Sequence, residues 1–326
     1  MHEHIETTVV TEAYNLAEGM GYAELEAAVA TITAMAATRP SVEALLVDGS
    51  NDARVAALVA RHPGLRHVVV PNGGYDALKN AAANAANGRF VVYLDGDCRP
   101  LAPDWLERLI APIRAGDAQA TAGTTVYDDF TATGIACSIM DWGYLWDDPG
   151  GAVGCYASNN VAFERALRCA MPAPEDDRLR CNCFLHTQQL ARRGVSIRHV
   201  PEAIAVHQMP DLAKERDRRA RDLVSACWND PLLRETAWLA EPATAALRFI
   251  DDILQADAQR FHGAPAALGL TPENRDAVMG EIIRLREIDL VAIRETIAAG
   301  ERNGENATAV AAHRAWRAAR AGVAGG

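Results

Sequence analysis

No stretch of this chain approaches the ~20 consecutive apolar residues of a membrane-crossing helix, so no transmembrane segment is expected. Basic residues are in deficit. Lys and Arg number 32 against 43 Asp and Glu, a net charge of −11. General nucleic-acid binding draws on a basic surface, so that class is set aside. The cysteines are few, odd in number at seven, and scattered. They suggest no disulfide framework, which a chain of 326 residues does not need. Cys181-Asn182-Cys183 has the wrong spacing for a zinc knuckle and no second pair, so it reads as structural. The opening Met1-His2-Glu3-His4 lacks the basic-then-apolar pattern of a secretion signal. A reducing, cytoplasmic setting is expected. No G-x-G-x-x-G follows the first strand, which disfavours dinucleotide-dependent oxidoreduction.

A hydrophobic content of 49% is ample for a core. Short β-favouring runs at Thr7–Val10, Val42–Val47, His67–Val70 and Phe90–Leu94 alternate with helical patterns at Tyr22–Ala37, at Ala53–Ala60 and from Asn72 to Asn87. Such β-α alternation with short connections calls for parallel strands, right-handed crossovers and helices on both faces. A helix over about 104–114 and a strand over 120–127 follow. Residues 128–154 read as a loop and short helix over the site, and 156–163 as strand-like. A helix from about 179 to 193 and short strands at 196–200 and 203–206 complete this part. Beyond Asp211 the patterns are helical, at 214–224, 243–261, 272–299 and 307–321. The expected division is a catalytic α/β domain over 1–210, with halves of about 1–127 and 128–210, and a helical region over 211–326.

The strand Phe90–Leu94 runs straight into Asp95-Gly96-Asp97. In open α/β sheets ligands bind past the carboxyl ends of strands. Two carboxylates there invite a hard divalent cation with positions to spare for phosphate. The competing reading is a plain turn, for which Asp and Gly are common.

Four landmarks then occur in order: Ala13-Tyr14-Asn15 with Val47-Asp48-Gly49-Ser50-Asn51-Asp52; Asn72-Gly73-Gly74 with Lys79-Asn80 and Leu94-Asp95-Gly96-Asp97; Ser158-Asn159-Asn160 with Glu175-Asp176; and Val200-Pro201-Glu202-Ala203 ending at His207. Over residues 7–210 the chain resembles the family 2 glycosyltransferases of the GT-A fold. The implied architecture is a mixed, mainly parallel sheet flanked by helices, here with a helical C-terminal appendage. The implied activity is metal-dependent, inverting transfer from a nucleotide sugar, with a UDP-sugar favoured, to a hydroxyl acceptor. Departures are Thr11-Glu12 where the family has a proline and Lys79 where arginine is common.

The resemblance assigns roles residue by residue. Asp97 is the direct ligand of Mn2+ or Mg2+, with Asp95 near the ribose or reaching the metal through water, and His207 a further ligand. Ala13, Tyr14, Asn15, Asp48, Asn72, Gly73, Lys79 and Gly96 would face the nucleotide. Asp176 is the implied general base, with Glu175 beside it. Each role has a plainer counterpart: a capping Asp48, a tight turn at Asn72-Gly73, a solvated Lys79, acids complementing a helix dipole. Trp142, Tyr144 and Trp146 offer stacking faces to an acceptor or form a core cluster. Arg216, Arg218, Arg219 and Arg221, interleaved with acids, suit a solvated helix better than a diphosphate clamp. A nucleotidyltransferase is disfavoured because no Lys or Arg lies in Thr11–Gly21, and a non-catalytic binding protein because the acids are present. In the last third, Ile282, Ile283, Leu285, Ile288, Val291, Ala292 and Ile297 form an apolar stripe. Its expected partners, in order, are the chain's own helices, a second copy in a homodimer, and a membrane surface.

Overall fold

The computed structural model describes residues 5–14, 16, 21–50, 52–175, 182–212 and 253–303, and of 292–303 the backbone alone. These fall into two compact units. The first takes the described residues up to 175, then 182–209 and 263–269; the second takes the described remainder. The helices expected at 214–224 and 307–321, the first part of that at 243–261, and the arginines 216–221 lie outside the described residues.

The first unit is built on one sheet of eight strands. They are β1 (Thr7–Glu12), β2 (Val42–Asp48), β3 (Leu65–Val69), β4 (Phe90–Leu94), β5 (Cys98–Pro100), β6 (Ala120–Tyr127), β7 (Asn160–Glu164) and β8 (Ile197–His207), in the order β3-β2-β1-β4-β7-β6-β8-β5. Helices α1 (Tyr22–Thr38), α2 (Ala53–Ala60) and α3 (Tyr75–Ala85) connect the first four strands. Then come α4 (Trp105–Ala115), α5 (Ala132–Trp142), a 3-10 turn (Gly143–Trp146), α6 (Arg165–Ala170) and α7 (Asn182–Arg192).

Alternation along the buried strands feeds two cores. Val9 and Leu46 join Leu25, Ile32, Trp105 and Leu109 on one face. Val10 and Leu45 join Leu78, Tyr93, Phe163 and Leu190 on the other. Side chains of successive strand residues point to opposite faces, so helices must cover both. Asp52 caps α2, its side chain accepting from Arg54 N at 2.8 Å.

Strand direction gathers the candidate residues on one rim. β1, β2 and β4 run parallel, so Glu12, Asp48 and Asp95 share their carboxyl ends. β7 is antiparallel to β4, with Asn160 opposite Leu94, and so begins at that rim. β6 reverses again and β8 is parallel to it, which returns Tyr127 and His207 to the same edge. β5 pairs antiparallel with β8, placing Cys98 opposite His207.

The three residues of β5 are an edge strand, where proline is tolerated. One expectation changes. The strands expected at 196–200 and 203–206 are one strand, β8, with a register shift against Gly123/Thr124. The reason is Asn160. Its Nδ2 donates to Thr124 O at 2.8 Å and Ala203 O at 2.9 Å, taking up carbonyls that the broken ladder leaves over. Its Oδ1 accepts from Trp105 Nε1 at 2.9 Å. Glycine is required at 123, since a Cβ there would lie 2.1 Å from Ala203 O.

The second unit contains the helical residues 253–262 and α8 (Arg275–Asn303). Phe261, Val278, Ile282 and Leu285 are buried. Arg286 Nε lies 2.7 Å from the fully buried Asp257. Ile283, Ile288 and Val291 of the expected stripe are exposed.

Replacing Asn160 with Ala strips partners from three buried groups, each costing about 1–3 kcal/mol when unsatisfied. Urea unfolding of Asn160→Ala should show a loss of at least about 3 kcal/mol; a change of only a few tenths would mean that the shift in β8 is held by something else.

Candidate active site

The centre of the rim is a buried ion pair. Tyr75 and Lys79 lie one turn apart on α3 and face the same way. Lys79 Nζ is 2.5 Å from Asp95 Oδ1, 2.6 Å from Tyr75 Oη and 2.6 Å from Ser158 O. An ammonium has three donors, and all three are used. Tyr75 Oη donates to Asp95 Oδ2 at 2.5 Å and lies 2.7 Å from Ser158 Oγ. Lys79 is 3% exposed and Asp95 4%. Burial alone would pull the ammonium down, but Asp95 above all outweighs it, so Lys79 is held above its ordinary range. This corrects one expectation. Lys79 is neither solvated nor extended toward a base or phosphate, because its protons are spent inside the protein. Each oxygen of Asp95 accepts a short hydrogen bond.

Asp97 stands differently. Asp97, Cys98 and His207 each offer one ligand atom, all within 4.8 Å of one another. His207 Nδ1 is 2.6 Å from Gln208 O. That carbonyl can only accept, so Nδ1 carries a proton and Nε2 is the ring nitrogen left to ligate. Nε2 lies 3.6 Å from Asp97 Oδ1. Tyr127 and Trp142 flank the imidazole, with centroids at 5.5 and 5.6 Å. Gln208 N donates to Asp97 O at 2.9 Å and Asp128 N to His207 O at 2.9 Å, so the ends of β5, β6 and β8 are stitched together. Asp97 is raised by burial, an effect that His207 opposes and Asp95 reinforces. A carboxylate, an imidazole lone pair and a thiol on one edge suit a divalent ion.

Sequence reasoning passed over Glu12, which entered only as a departure from proline. It ends β1, is 1% exposed and is pushed up to about 8 by burial first, then by Asp95. Its carboxyl is therefore neutral at pH 7. Tyr14 N donates to Glu12 Oε2. A buried acid at the end of a central parallel strand, next to the two acids of the D-x-D, was the available signal.

The remaining nucleotide-site expectations divide. Ala13 is buried and its N donates to Val47 O at 3.0 Å; Tyr14 packs on Tyr75 at 5.8 Å. Asn15 lies outside the described residues. Asp48 Oδ1 accepts from Ser50 N at 2.8 Å and Ser50 Oγ at 2.6 Å, and Oδ2 lies 3.3 Å from His67 Nε2. The Asn72-Gly73 segment is a tight turn, with Asn72 at φ 56 and Gly73 N donating to Val70 O at 3.0 Å. A Cβ on Gly73 would meet Val70 Cγ1 at 2.9 Å. Its glycine therefore serves packing within the chain. Gly96 is buried between the two aspartates.

Asn80, beside Lys79, holds the acid segment. Its Nδ2 donates to Ala173 O at 3.0 Å and Glu175 Oε1 at 2.6 Å, and its Oδ1 accepts from Ala173 N at 3.1 Å. Glu175, expected beside the general base, is thus held in place by Asn80. Asp176 lies outside the described residues. Asn182 Nδ2 donates to Asp76 Oδ2 at 2.7 Å, tying α7 to the first turn of α3 on the far side of that segment. Among the aromatics, Trp142 lies on His207 and Tyr144 is half-buried. Trp146 is 4% exposed and belongs to the core, which corrects its reading as an acceptor platform.

Residues 8–142 match the model of glycosyl transferase family 2, the family that the four landmarks resemble. A mannosyltransferase from Pyrobaculum calidifontis, solved with GDP-Man and Mn2+, is 20% identical at a TM-score of 0.56. The match covers 90% of this chain and 87% of that one. That likeness is one of fold, and the fold is that of the GT-A glycosyltransferases. S. aureus TarS 1–349 matches more loosely, at 14% identity and TM-score 0.47, with 92% of each chain covered. So does glucosyl-3-phosphoglycerate synthase from Mycobacterium tuberculosis, at 18% and 0.47, covering 68% of this chain and 78% of its own. Comparison with curated proteins gives no match. No helix among the described residues is long and apolar enough to cross a membrane.

Two outcomes follow for the rim. Lys79→Met leaves Asp95 buried without its counter-charge and should cost about 3–5 kcal/mol of stability; Lys79→Met with Asp95→Asn should recover part of that loss. Equal stability of the single and double variants in denaturant titrations would remove the ion pair from its central place. Glu12 binds a proton in the folded chain that the unfolded chain releases above the ordinary glutamate value of about 4.5. Stability of the metal-free protein should therefore fall as pH rises from about 4.5 toward about 8. Melting curves of Glu12→Gln should lack that component; an unchanged slope would show that Glu12 is ionised when folded.

Proposed function

We propose that the protein transfers a glycosyl group, with inversion, from a UDP-sugar to a hydroxyl acceptor, with a divalent ion held by Asp97 and His207. The observation that carries this reading is the pairing of Asp97 with a histidine whose tautomer is fixed by Gln208, on the rim of a unit that matches the family 2 model. The residues fit an ion such as Mn2+ or Mg2+: one hard carboxylate, one imidazole lone pair, and an edge open to further oxygens. When bound, the ion supplies positive charge to the departing diphosphate.

The chain's own groups do the rest. Asp95, fixed by Lys79 and Tyr75, keeps Asp97 at the strand end and lies where a ribose would pass. Asp48, ordered by Ser50 and His67, offers a carboxylate to the base; uracil is the base chosen, on family likeness. Asn80 pins Ala173 and Glu175; Asp176 follows them in the sequence and, on family likeness, is the general base that takes the acceptor proton. A single displacement with one base inverts the anomeric carbon. Trp142 and Tyr144 provide aromatic surface toward the acceptor. We place the protein in the cytoplasm, consistent with free cysteines among the described residues. A homodimer through the C-terminal helices is the second arrangement for the exposed Ile283, Ile288 and Val291.

Calorimetric titration of UDP and GDP, with Mn2+ and with chelator, tests the reading. UDP should bind only with metal, and Asp97→Ala should abolish that binding. Asp176→Asn should bind donor normally and lose about 10²–10⁴-fold in turnover. Nucleotide binding that is unchanged in chelator would overturn the metal assignment, and normal turnover by Asp176→Asn would overturn the base.

A further inference from the structure

Cys98 has no part in the chemistry above, yet it lies in the same cluster. Cys98 and His207 are directly opposed residues of the antiparallel β5–β8 pair. Directly opposed residues project their side chains to the same face, with Cβ atoms about 4.5–5.5 Å apart. The thiol is therefore aimed to the side of the sheet on which His207 lies. Its Sγ is 3.6 Å from Asp97 Oδ1, the oxygen that is itself 3.6 Å from His207 Nε2. All three ligand atoms lie within 4.8 Å. A tetrahedral ion with bonds of ~2.0–2.3 Å separates its ligand atoms by roughly 3.3–3.6 Å. Two edges of that triangle are already near this length, and the third needs only a modest side-chain turn. Cys98 is 3% exposed, so a thiolate there is shielded from water and from large oxidants.

We propose that Cys98 is a third protein ligand of the ion held by Asp97 and His207, and that its sulfur biases the site toward thiophilic divalent ions, Zn2+ and Co2+, over Mg2+. This rests on the metal reading given above and adds to it a ligand and a selectivity. Binding deprotonates the thiol, so one proton is released to solvent for each ion taken up. Three protein ligands of mixed N, O and S type leave a fourth position open, as in catalytic rather than structural zinc sites. Soft sulfur favours zinc and cobalt, whereas magnesium demands oxygen ligands.

The test uses the full chain, stripped of metal and titrated with Co2+ alone. The wild-type protein should develop an intense near-ultraviolet sulfur-to-cobalt charge-transfer band that saturates at one equivalent. Cys98→Ser should lose the band and at least about 10-fold in Zn2+ affinity, by competition with a chromophoric chelator, while keeping its melting temperature. Cys98→Asp, which swaps sulfur for oxygen, should move the preference toward Mn2+ and Mg2+. Cobalt that binds through Asp97 without the band, or a band that survives Cys98→Ser, would overturn the role of Cys98 and leave the Asp97–His207 reading standing. Cobalt uptake indifferent to both Asp97→Ala and Cys98→Ser would overturn the two together.

Discussion

The lysine buried between α3 and the end of β4 is the interaction on which the rim depends. β1 and β4 bring Glu12, Asp95 and Asp97 to one edge, and like charges packed there would repel. Lys79 supplies the opposing charge from within, and its three donors reach a carboxylate, a phenol and a backbone carbonyl from three separate stretches of chain. Removing two charges from water is costly, and the geometry must offset that. Here it does so by satisfying every ammonium proton. The same contacts fix the entrance to β7 through Ser158, so one side chain couples the nucleotide half of the sheet to the half that returns His207.

Because the three acids are held differently, they do different things. Glu12 is kept neutral by burial and by Asp95. Asp95 accepts from Lys79 on one oxygen and from Tyr75 on the other. Asp97 faces an imidazole whose free nitrogen points at it. Three carboxyl groups at one edge thus become a neutral spacer, the partner of a buried lysine and a group that faces an imidazole. Environment rather than residue type sets the role, as for paired carboxylates in other active sites.

Much of this was legible in the sequence. Phe90–Leu94 is a buried strand on composition alone, and the D-x-D after it marks the rim. The β-α alternation before Asp97 gave the parallel half of the sheet, because each element there is periodic and closed by a short loop. What could not be read depends on partners far along the chain. Lys79 looks like any lysine on a helix until Asp95 and Ser158 fold around it. Glu12 looks like the polar end of a strand. Trp146 resembles its neighbours Trp142 and Tyr144, and only burial separates it from them. β5 carries a proline and too few residues for any pattern, so its pairing with β8 could not be foreseen, nor could the place of Cys98 beside His207.

The irregularity in β8 connects fold to chemistry. A strand paired in register with β6 from Gly123 onward would place a different residue beside Tyr127. The shift between Gly123 and Thr124 moves the pairing partner from Val200 to Ile204, and the strand then runs in step to Tyr127 opposite His207. Side chains alternate along a strand, so a slip of one residue would turn the histidine to the other face. Asn160 holds the shift by bonding carbonyls on both strands, and Gly123 makes room for it. That asparagine touches none of Asp97, Cys98 or His207 by any hydrogen bond described. It nonetheless determines which residue of β8 arrives opposite Tyr127, and therefore that the imidazole of His207 stands at the end of β6.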